Sequence, residues 1–524
     1  MNHQSELCRA RENTWASQIS RHASERPGDI ALRYQEASTT WSELHSRIDS
    51  LANWLVARGV QCGDRIAIVM TNRPEFLETL YAATSIGAIA VPVNFRLSAQ
   101  EIAYILTDSG ALVVVTEPAL LPVVHSANDT AGLAPIVVST GPQEDPSALA
   151  YEGAVDGSAP ARSTAVVAAS EPAAIMYTSG TTGHPKGAVL TQNNFQAVTE
   201  IITRAWKMFE GDEVVLAATP LFHIGGLGST NGPILLGSTL VILPSSPFDP
   251  NAVLDLIGAE HVTATFMVPA QWQAICSVPD AGTRAASLRT LSWGAAPASN
   301  ALLQQMSLTF PSADIVALFG QTELAPITCV MSGRDAVRKI GSVGKPAFNV
   351  SIRVVDEQMR DVELGSVGEI VYRGPNLMLG YWNNDAATEA AFEGGWFHSG
   401  DLVRRDEEGF VYVVDRKKDM IISGGENIYS AEVENALAGH PAVADVAVIG
   451  RTDARWGEAV VAIVVPADPA APPTLEQIVD FCRDRLASYK KPRELVIVDA
   501  LPRNATGKVM KHDLRSTVAA PLVH

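Results

Sequence analysis

Short apolar runs recur along the first part of the chain, each bounded by Gly, Pro or charged residues. "RIAIVM", "GAIAVPV", "ALVVVT", "EVVLAATP", "STLVIL" and "ATFMVP" are of this kind. Runs of that kind predict strands. Between them lie segments with helical spacing, such as "WSELHSRIDSLANWLVARG". Strand and helix in alternation predict an α/β fold of mostly parallel sheets with crossover helices. After Arg416 the pattern changes. A helix ("SAEVENALAGH") precedes strands ("ADVAVIG", "EAVVAIVVP"), and a second helix ("LEQIVDFCRDRLASY") precedes "RELVIVDA". That order predicts a small α+β domain over residues 416–524, following a large domain over residues 1–415. The Gly-, Pro-, Ser- and Ala-rich stretch from Gly141 to Thr164 reads as a surface connection, and "PADPAAPP" as a loop inside the small domain. No repeat at a fixed period is visible.

Length and composition fit two or more domains: 524 residues exceed what one core supports, and 47% of them are hydrophobic. No uncharged apolar run reaches the length of a membrane span, and the N-terminal residues show no signal-peptide apolar region, so a cytoplasmic protein is expected. Peripheral membrane contact stays compatible with this. The five cysteines, Cys8, Cys62, Cys276, Cys329 and Cys482, lie far apart without metal-type spacing and read as free thiols of a reducing compartment. The net charge of −18 argues against nucleic acid as a partner. Acidic and basic residues balance after Arg416, so the first part carries all of that charge. The neutral part holds two basic clusters, Arg416-Lys417-Lys418 and Lys490-Lys491 with Arg493. Such clusters are usually solvated faces, although an anionic ligand can use them.

The stretch "IMYTSGTTGHPKGAVLT", Ile175 to Thr191, combines hydroxyls, glycines and a lysine. It is not a P-loop. Lys186 is followed by Gly187 instead of a magnesium-binding hydroxyl, and Pro185 pushes His184 away from helical geometry. Gly180 and Gly183 permit close backbone approach, Thr178, Ser179, Thr181 and Thr182 add hydroxyls, and Lys186 adds charge. This chemistry suits a polyphosphate. The competing reading is an ordinary Ser/Thr/Gly turn.

Three further stretches follow in order: "LFGQTELAP" from Leu318, "GGWFHSGDLVRRDEEGFVYVVDRKKDMIISGGENIYSAEVE" from Gly394, and "LPRNATGKVMKHDLR" from Leu501. Together with "YTSGTTGHPKGA", this set resembles the adenylate-forming superfamily of acyl-CoA synthetases, nonribosomal-peptide adenylation domains and luciferases, over nearly the whole chain. "PLFHIGGLG", "LSWGAAPA" and "KKDMIISGGENIYSAEVE" look most like bacterial medium- and long-chain fatty-acyl-CoA ligases. The resemblance implies attack of a carboxylate on the α-phosphorus of Mg-ATP, giving acyl-AMP and pyrophosphate, and then displacement of AMP by coenzyme A. An ionised carboxylate needs no general base. The first step therefore rests on positioning and on neutralising charge, which matches motifs rich in Lys, Gly and hydroxyls.

By the same resemblance, Lys508 reaches the α-phosphate and the attacking carboxylate. Glu323, with Thr181, holds magnesium, a cation that prefers oxygen ligands. Thr178, Ser179, Gly180, Thr181, Thr182, Gly183 and Lys186 cradle the phosphates, with Thr178 also among the catalytic residues. Asp401 accepts from the ribose hydroxyls, and Arg416 lies near the ribose or phosphates. Adenine lies near Gly294, Ala295 and Ala296, with Phe319 against its face and Gly320, Gln321 and Thr322 alongside. The family usually has Tyr at the Phe319 position, and ring stacking survives that change. His223 lies at the carboxylate end of the acyl pocket. Gly424 and Gly425 approach the pantetheine arm, and Lys418 is the hinge of the small domain. Ser430 stands where many relatives have Pro. Taken singly, each of these residues would pass as a turn, core or surface position.

From Val214 to Phe248 the chain has no Asp, Glu, Lys or Arg, and from Thr290 to Gln321 the only charge is Asp314. An amino-acid substrate needs a carboxylate for its ammonium, because burying that charge unpaired costs several kcal/mol. An apolar acid is therefore expected, with a fatty acid first and a cinnamate-type aromatic acid as the alternative. Buried structural elements would give the same composition. Trp293 limits chain length if it faces the acyl tunnel and is uninformative if it faces the core. The expected partners are the acid, ATP and coenzyme A, with a homodimer as the expected assembly. An enzyme that stops at acyl-AMP, an adenylate-binding sensor and a luciferase-like oxygenase are the other function classes.

Overall fold

The computed structural model describes residues 13–518 except 142–144, 160–166, 179–184, 210–211, 297, 424–425, 454, 484 and 504–508. The chain divides into two compact units, Met1–Ser351 with Arg373–Glu393, and Ile352–Tyr372 with Gly394–His524. Residue 416, where the charge balance changes, falls inside the second unit.

Among the described residues the first unit holds two large sheets. In the nine-stranded sheet, strands Val214–Ala217, Ala264–Met267, Thr290–Gly294 and Asp314–Gly320 are consecutive parallel neighbours. The eight-stranded sheet has Arg65–Val69 between Ile89–Pro92 and Ala111–Thr116, again parallel. Its edge is antiparallel, running Pro172–Thr178, Lys186–Thr191 and Gly380–Tyr381. Each apolar run quoted above forms a strand of one of these sheets, "STLVIL" as Thr239–Ile242 beside Val214–Ala217, and Trp41–Ala57 forms the expected helix. That helix starts on a capping box, with Thr40 and Glu43 satisfying each other's backbone N–H groups. The mixed α/β architecture of mostly parallel sheets with a smaller second unit is therefore as the pattern predicts.

Two local differences have clear causes. Part of the Gly141–Thr164 stretch is not surface chain: Tyr151–Val155 is a short helix whose Tyr151 is fully buried. The Tyr151 hydroxyl donates to Glu78 Oε2 at 2.8 Å, and Arg47 Nε donates to Glu78 Oε1 at 2.7 Å. A single aromatic anchor in a small-residue stretch leaves no periodic signal. In the small domain, the helix expected through Tyr489 ends at Phe481. Ile478, Cys482 and Leu486 are all buried, so helical spacing continues in the sequence after the backbone has turned.

The second unit holds a four-stranded sheet, including Gly368–Arg373, Phe397–Arg405 and Val411–Arg416, and a five-stranded one built on Val443–Asp453 and Gly457–Pro466. Ile421, Ile428, Val433, Val448, Val460 and Ile478 form a core on one side of the latter. "PADPAAPP" is the loop between its long strand and helix Leu475–Phe481.

Candidate functional site

In open parallel sheets, ligands bind beyond the carboxyl ends of the strands. The nine-stranded sheet sends several predicted residues to that edge. His223 follows strand Val214–Ala217, Ala295 and Ala296 follow Thr290–Gly294, and Gln321, Thr322 and Glu323 follow Asp314–Gly320. Since these strands are parallel neighbours, one edge collects the residues expected at adenine, metal and carboxylate. The backbone there is tight. Ala295 has φ +64°, and Gly320 has φ +158° with the Pro326 carbonyl 1.8 Å from where a Cβ would stand, so no side chain fits at 320.

The Ser/Thr/Gly stretch is carried by a hairpin. Strands Pro172–Thr178 and Lys186–Thr191 are antiparallel, with Thr178 opposite Lys186, and the Thr178 hydroxyl donates to the Lys186 carbonyl at 3.4 Å. A P-loop would lead into a helix, whereas this chain leads into a strand. Ser179, Gly180, Thr181, Thr182 and Gly183 lie outside the described residues. Thr178 and Lys186 are the paired strand residues that flank this stretch in the sequence.

Glu323 sits in a single turn, Thr322–Leu324, and is buried. The chain segment after Arg373 braces this turn. Asn376 Nδ2 donates to the carbonyls of Leu324 and Ile327 at 2.9 and 2.7 Å, and the Met378 N–H donates to the Glu323 carbonyl at 2.8 Å. The Tyr381 hydroxyl then donates to Glu323 Oε1 at 2.9 Å. Among the described residues nothing donates to Oε2, and no cluster of three or more His, Cys, Asp or Glu side chains stands ready for a metal. A hard cation that keeps its waters and substrate phosphates needs only one or two protein carboxylates. Glu323, with Oε1 fixed by Tyr381 and Oε2 without a donor among the described residues, fits that demand. Among the described residues Gln321 Nε2 is buried without a partner, a donor left over for a ligand acceptor.

His223 caps helix Ile224–Leu236, its Nδ1 accepting the Gly225 N–H at 3.2 Å. The neutral ring then carries its proton on Nε2. Burial pulls its pKa from 6.5 down to about 4, so at neutral pH it is an uncharged donor. Asn72 holds the loop ahead of it, donating to the Thr219 and Leu243 carbonyls and accepting from the Leu221 N–H at 2.8 Å. Trp293 is buried, and among the described residues its Nε1 has no partner. Phe319 is half-buried, with its carbonyl accepting from Thr328 Oγ1.

In the second unit, Asp401 and Arg416 stand directly opposite on antiparallel strands. Arg416 Nε lies 2.7 Å from Asp401 Oδ1, and the Asp401 side chain is 4% exposed. Beside them Glu369 receives the Gly400 N–H at 3.0 Å and faces His398 Nδ1 at 3.2 Å and Lys417 Nζ at 3.3 Å. Burial alone would raise its pKa, but these three contacts together hold it below the usual value. Lys418 is exposed, and desolvation by the groups around it lowers its pKa. Ser430 is fully buried, and its N–H and hydroxyl both donate to Asp415, while Lys511 Nζ donates to Ser430 Oγ at 2.6 Å. A proline there would have no N–H to give. Gly424, Gly425 and Lys508 lie outside the described residues.

The sequence reading missed Tyr381, Asn376, Asn72, Glu369 and Asp415. Tyr381 and Asn376 lie in "GPNLMLGYWNN", whose Gly, Asn and aromatic content is the one signal that marks them out.

Residues 19–382 match the AMP-binding enzyme family, and residues 432–508 match the AMP-binding enzyme C-terminal domain. The chain belongs to this family. It is 40% identical over 94% of its length to a feruloyl-CoA synthase of Amycolatopsis sp, covering 97% of that protein. It is 36% identical to the long-chain-fatty-acid–CoA ligase FadD13 of Mycobacterium tuberculosis, covering 93% of this chain and 95% of that one. Among solved structures, o-succinylbenzoate coenzyme A synthetase (MenE) from Bacillus subtilis, in complex with ATP and magnesium ion, is similar with a TM-score of 0.84. The two are 32% identical, over 96% of this chain and 99% of that one. No described helix is long and apolar enough to cross a membrane.

Proposed function

We propose that this AMP-forming acid–CoA ligase activates an aromatic, cinnamate-type carboxylic acid. The observation that carries the choice is the 40% identity to a feruloyl-CoA synthase across nearly the full length of both chains. A medium- or long-chain fatty acid is the second reading, favoured by the charge-free stretch from Val214 to Phe248 and by the 36% identity to FadD13.

In the proposed mechanism, neutral His223 donates from Nε2 to the acid's carboxylate and orients it without adding charge. Lys186 and the hydroxyls from Thr178 to Thr182 hold the β- and γ-phosphates. Glu323, with Thr181, would hold magnesium, which when bound would offset phosphate charge. Asp401 accepts from the ribose hydroxyls, and Arg416 fixes the Asp401 carboxylate. A carboxylate oxygen attacks the α-phosphorus, the bond to pyrophosphate breaks, and Lys508 stabilises the charge that develops. The coenzyme A sulfur, its arm lying along Gly424 and Gly425, then attacks the acyl carbon, and AMP leaves with its electron pair. Lys418 is the pivot that exchanges Lys508 for the glycine face between steps.

The test is kcat/KM for ferulate, cinnamate, decanoate and palmitate, read as thioester formed with coenzyme A. Ferulate or cinnamate should exceed both fatty acids at least tenfold. A preference for decanoate or palmitate would establish the second reading instead.

A further inference from the structure

Tyr381 joins the two phosphate-handling groups of the first unit. Its strand pairs with Lys186–Thr191, Tyr381 standing opposite Ala188, and the Trp382 N–H donates to the Gly187 carbonyl at 2.7 Å. The Tyr381 backbone N–H is held by Thr388 Oγ1 at 2.9 Å. From this fixed backbone the hydroxyl reaches Glu323 Oε1 at 2.9 Å, and the ring lies under Lys186 with Nζ 5.0 Å from its centroid. We propose that Tyr381 is a positioning residue, whose hydroxyl sets the Glu323 carboxylate for the cation and whose ring sets the Lys186 ammonium for the phosphates.

The chemistry suits the task. A phenol of ordinary acidity keeps its proton at neutral pH, so the hydroxyl that faces Glu323 Oε1 is a neutral donor at working pH. A carboxylate with one oxygen tied by a neutral donor keeps its full charge and a free second oxygen. A cation at that position would have rearranged a carboxylate tied by lysine or arginine, since it competes with them for the same charge. The aromatic face attracts the ammonium without neutralising it, leaving its three N–H donors for phosphate oxygens.

The inference rests on the cation role proposed for Glu323, and the experiment separates the two. Tyr381→Phe removes the hydroxyl and keeps the ring, whereas Tyr381→Leu removes both. Binding of a non-hydrolysable ATP analogue is followed by fluorescence across a magnesium titration, beside thermal melting of the ligand-free protein. Tyr381→Phe should raise the half-saturating magnesium concentration about tenfold with an unchanged melting temperature and unchanged analogue affinity at saturating magnesium. Tyr381→Leu should in addition weaken the analogue about tenfold at saturating magnesium. Glu323→Gln should shift the magnesium dependence by itself, and adding Tyr381→Phe to it should shift it no further. If Glu323→Gln leaves the magnesium dependence unmoved, the cation role fails. If Glu323→Gln moves it and Tyr381→Phe does not, or the two shifts add in full, the Tyr381 inference is overturned.

Discussion

His223→Asn isolates one titrating group in the candidate site. Asparagine is a preferred helix cap and accepts the Gly225 N–H as the ring does, so the exchange removes the titration and keeps the cap. The folded-state pKa is about 4 and the ordinary value 6.5. Between those values the unfolded chain binds a proton that the folded chain refuses. The contribution of neutral His223 is therefore complete above pH 6.5 and is lost as pH falls toward 4. At pH 4.5 the loss is about 2.5 kcal/mol, since each unit of pKa difference is worth ~1.4 kcal/mol. Urea unfolding of the wild type and the variant at pH 7.0, 5.5 and 4.5, followed by tryptophan fluorescence, measures it. The gap between them should change in the variant's favour by about 2.5 kcal/mol from pH 7.0 to 4.5. A gap independent of pH would refute the neutral-ring assignment and with it the uncharged donor at the acid's carboxylate.

Further outcomes follow from the other residues. Asp401→Asn leaves the Arg416 guanidinium without its carboxylate and should raise KM for ATP about tenfold, a loss of ~1.4 kcal/mol; an unchanged KM would remove Asp401 from the nucleotide site. Lys508→Ala should slow acyl-adenylate formation roughly a hundredfold or more while sparing thioester formation from supplied acyl-AMP, and near-normal pyrophosphate release would sink that role. Lys418→Pro fixes a backbone torsion at the proposed pivot and should keep most adenylation while losing most of the overall thioester rate; stopped-flow and steady-state measurements side by side would expose an equal loss in both, which contradicts a hinge.

Much of the first unit is legible in its sequence because several of its central strands are almost wholly buried. "ALVVVT" and "RIAIVM" have no polar alternation to mislead and form strands Ala111–Thr116 and Arg65–Val69. The hairpin at Thr178 and Lys186 was readable in a negative sense, since Pro185 and Gly187 forbid the helix of a P-loop. What the sequence hid depends on contacts distant along the chain. Tyr381 meets Glu323 across 58 positions and Asn72 meets Leu221 across 149, and no local periodicity records such pairs. Tyr151 was lost among small residues for the same reason, as its partner Glu78 lies 73 positions away. The helix after Leu475 failed differently: buried residues four apart mimic a helix face whether the backbone is helical or turned.

In the proposed mechanism a carboxylate becomes an acyl-adenylate before coenzyme A takes the acyl group. Ferulate carrying oxygen-18 in both carboxylate positions, incubated with ATP, magnesium and coenzyme A, tests this by mass spectrometry of the AMP. One labelled oxygen should appear in the AMP phosphate and the other should remain in the thioester carbonyl, because the attacking oxygen leaves with AMP. Unlabelled AMP, or label in pyrophosphate or inorganic phosphate, would contradict the account.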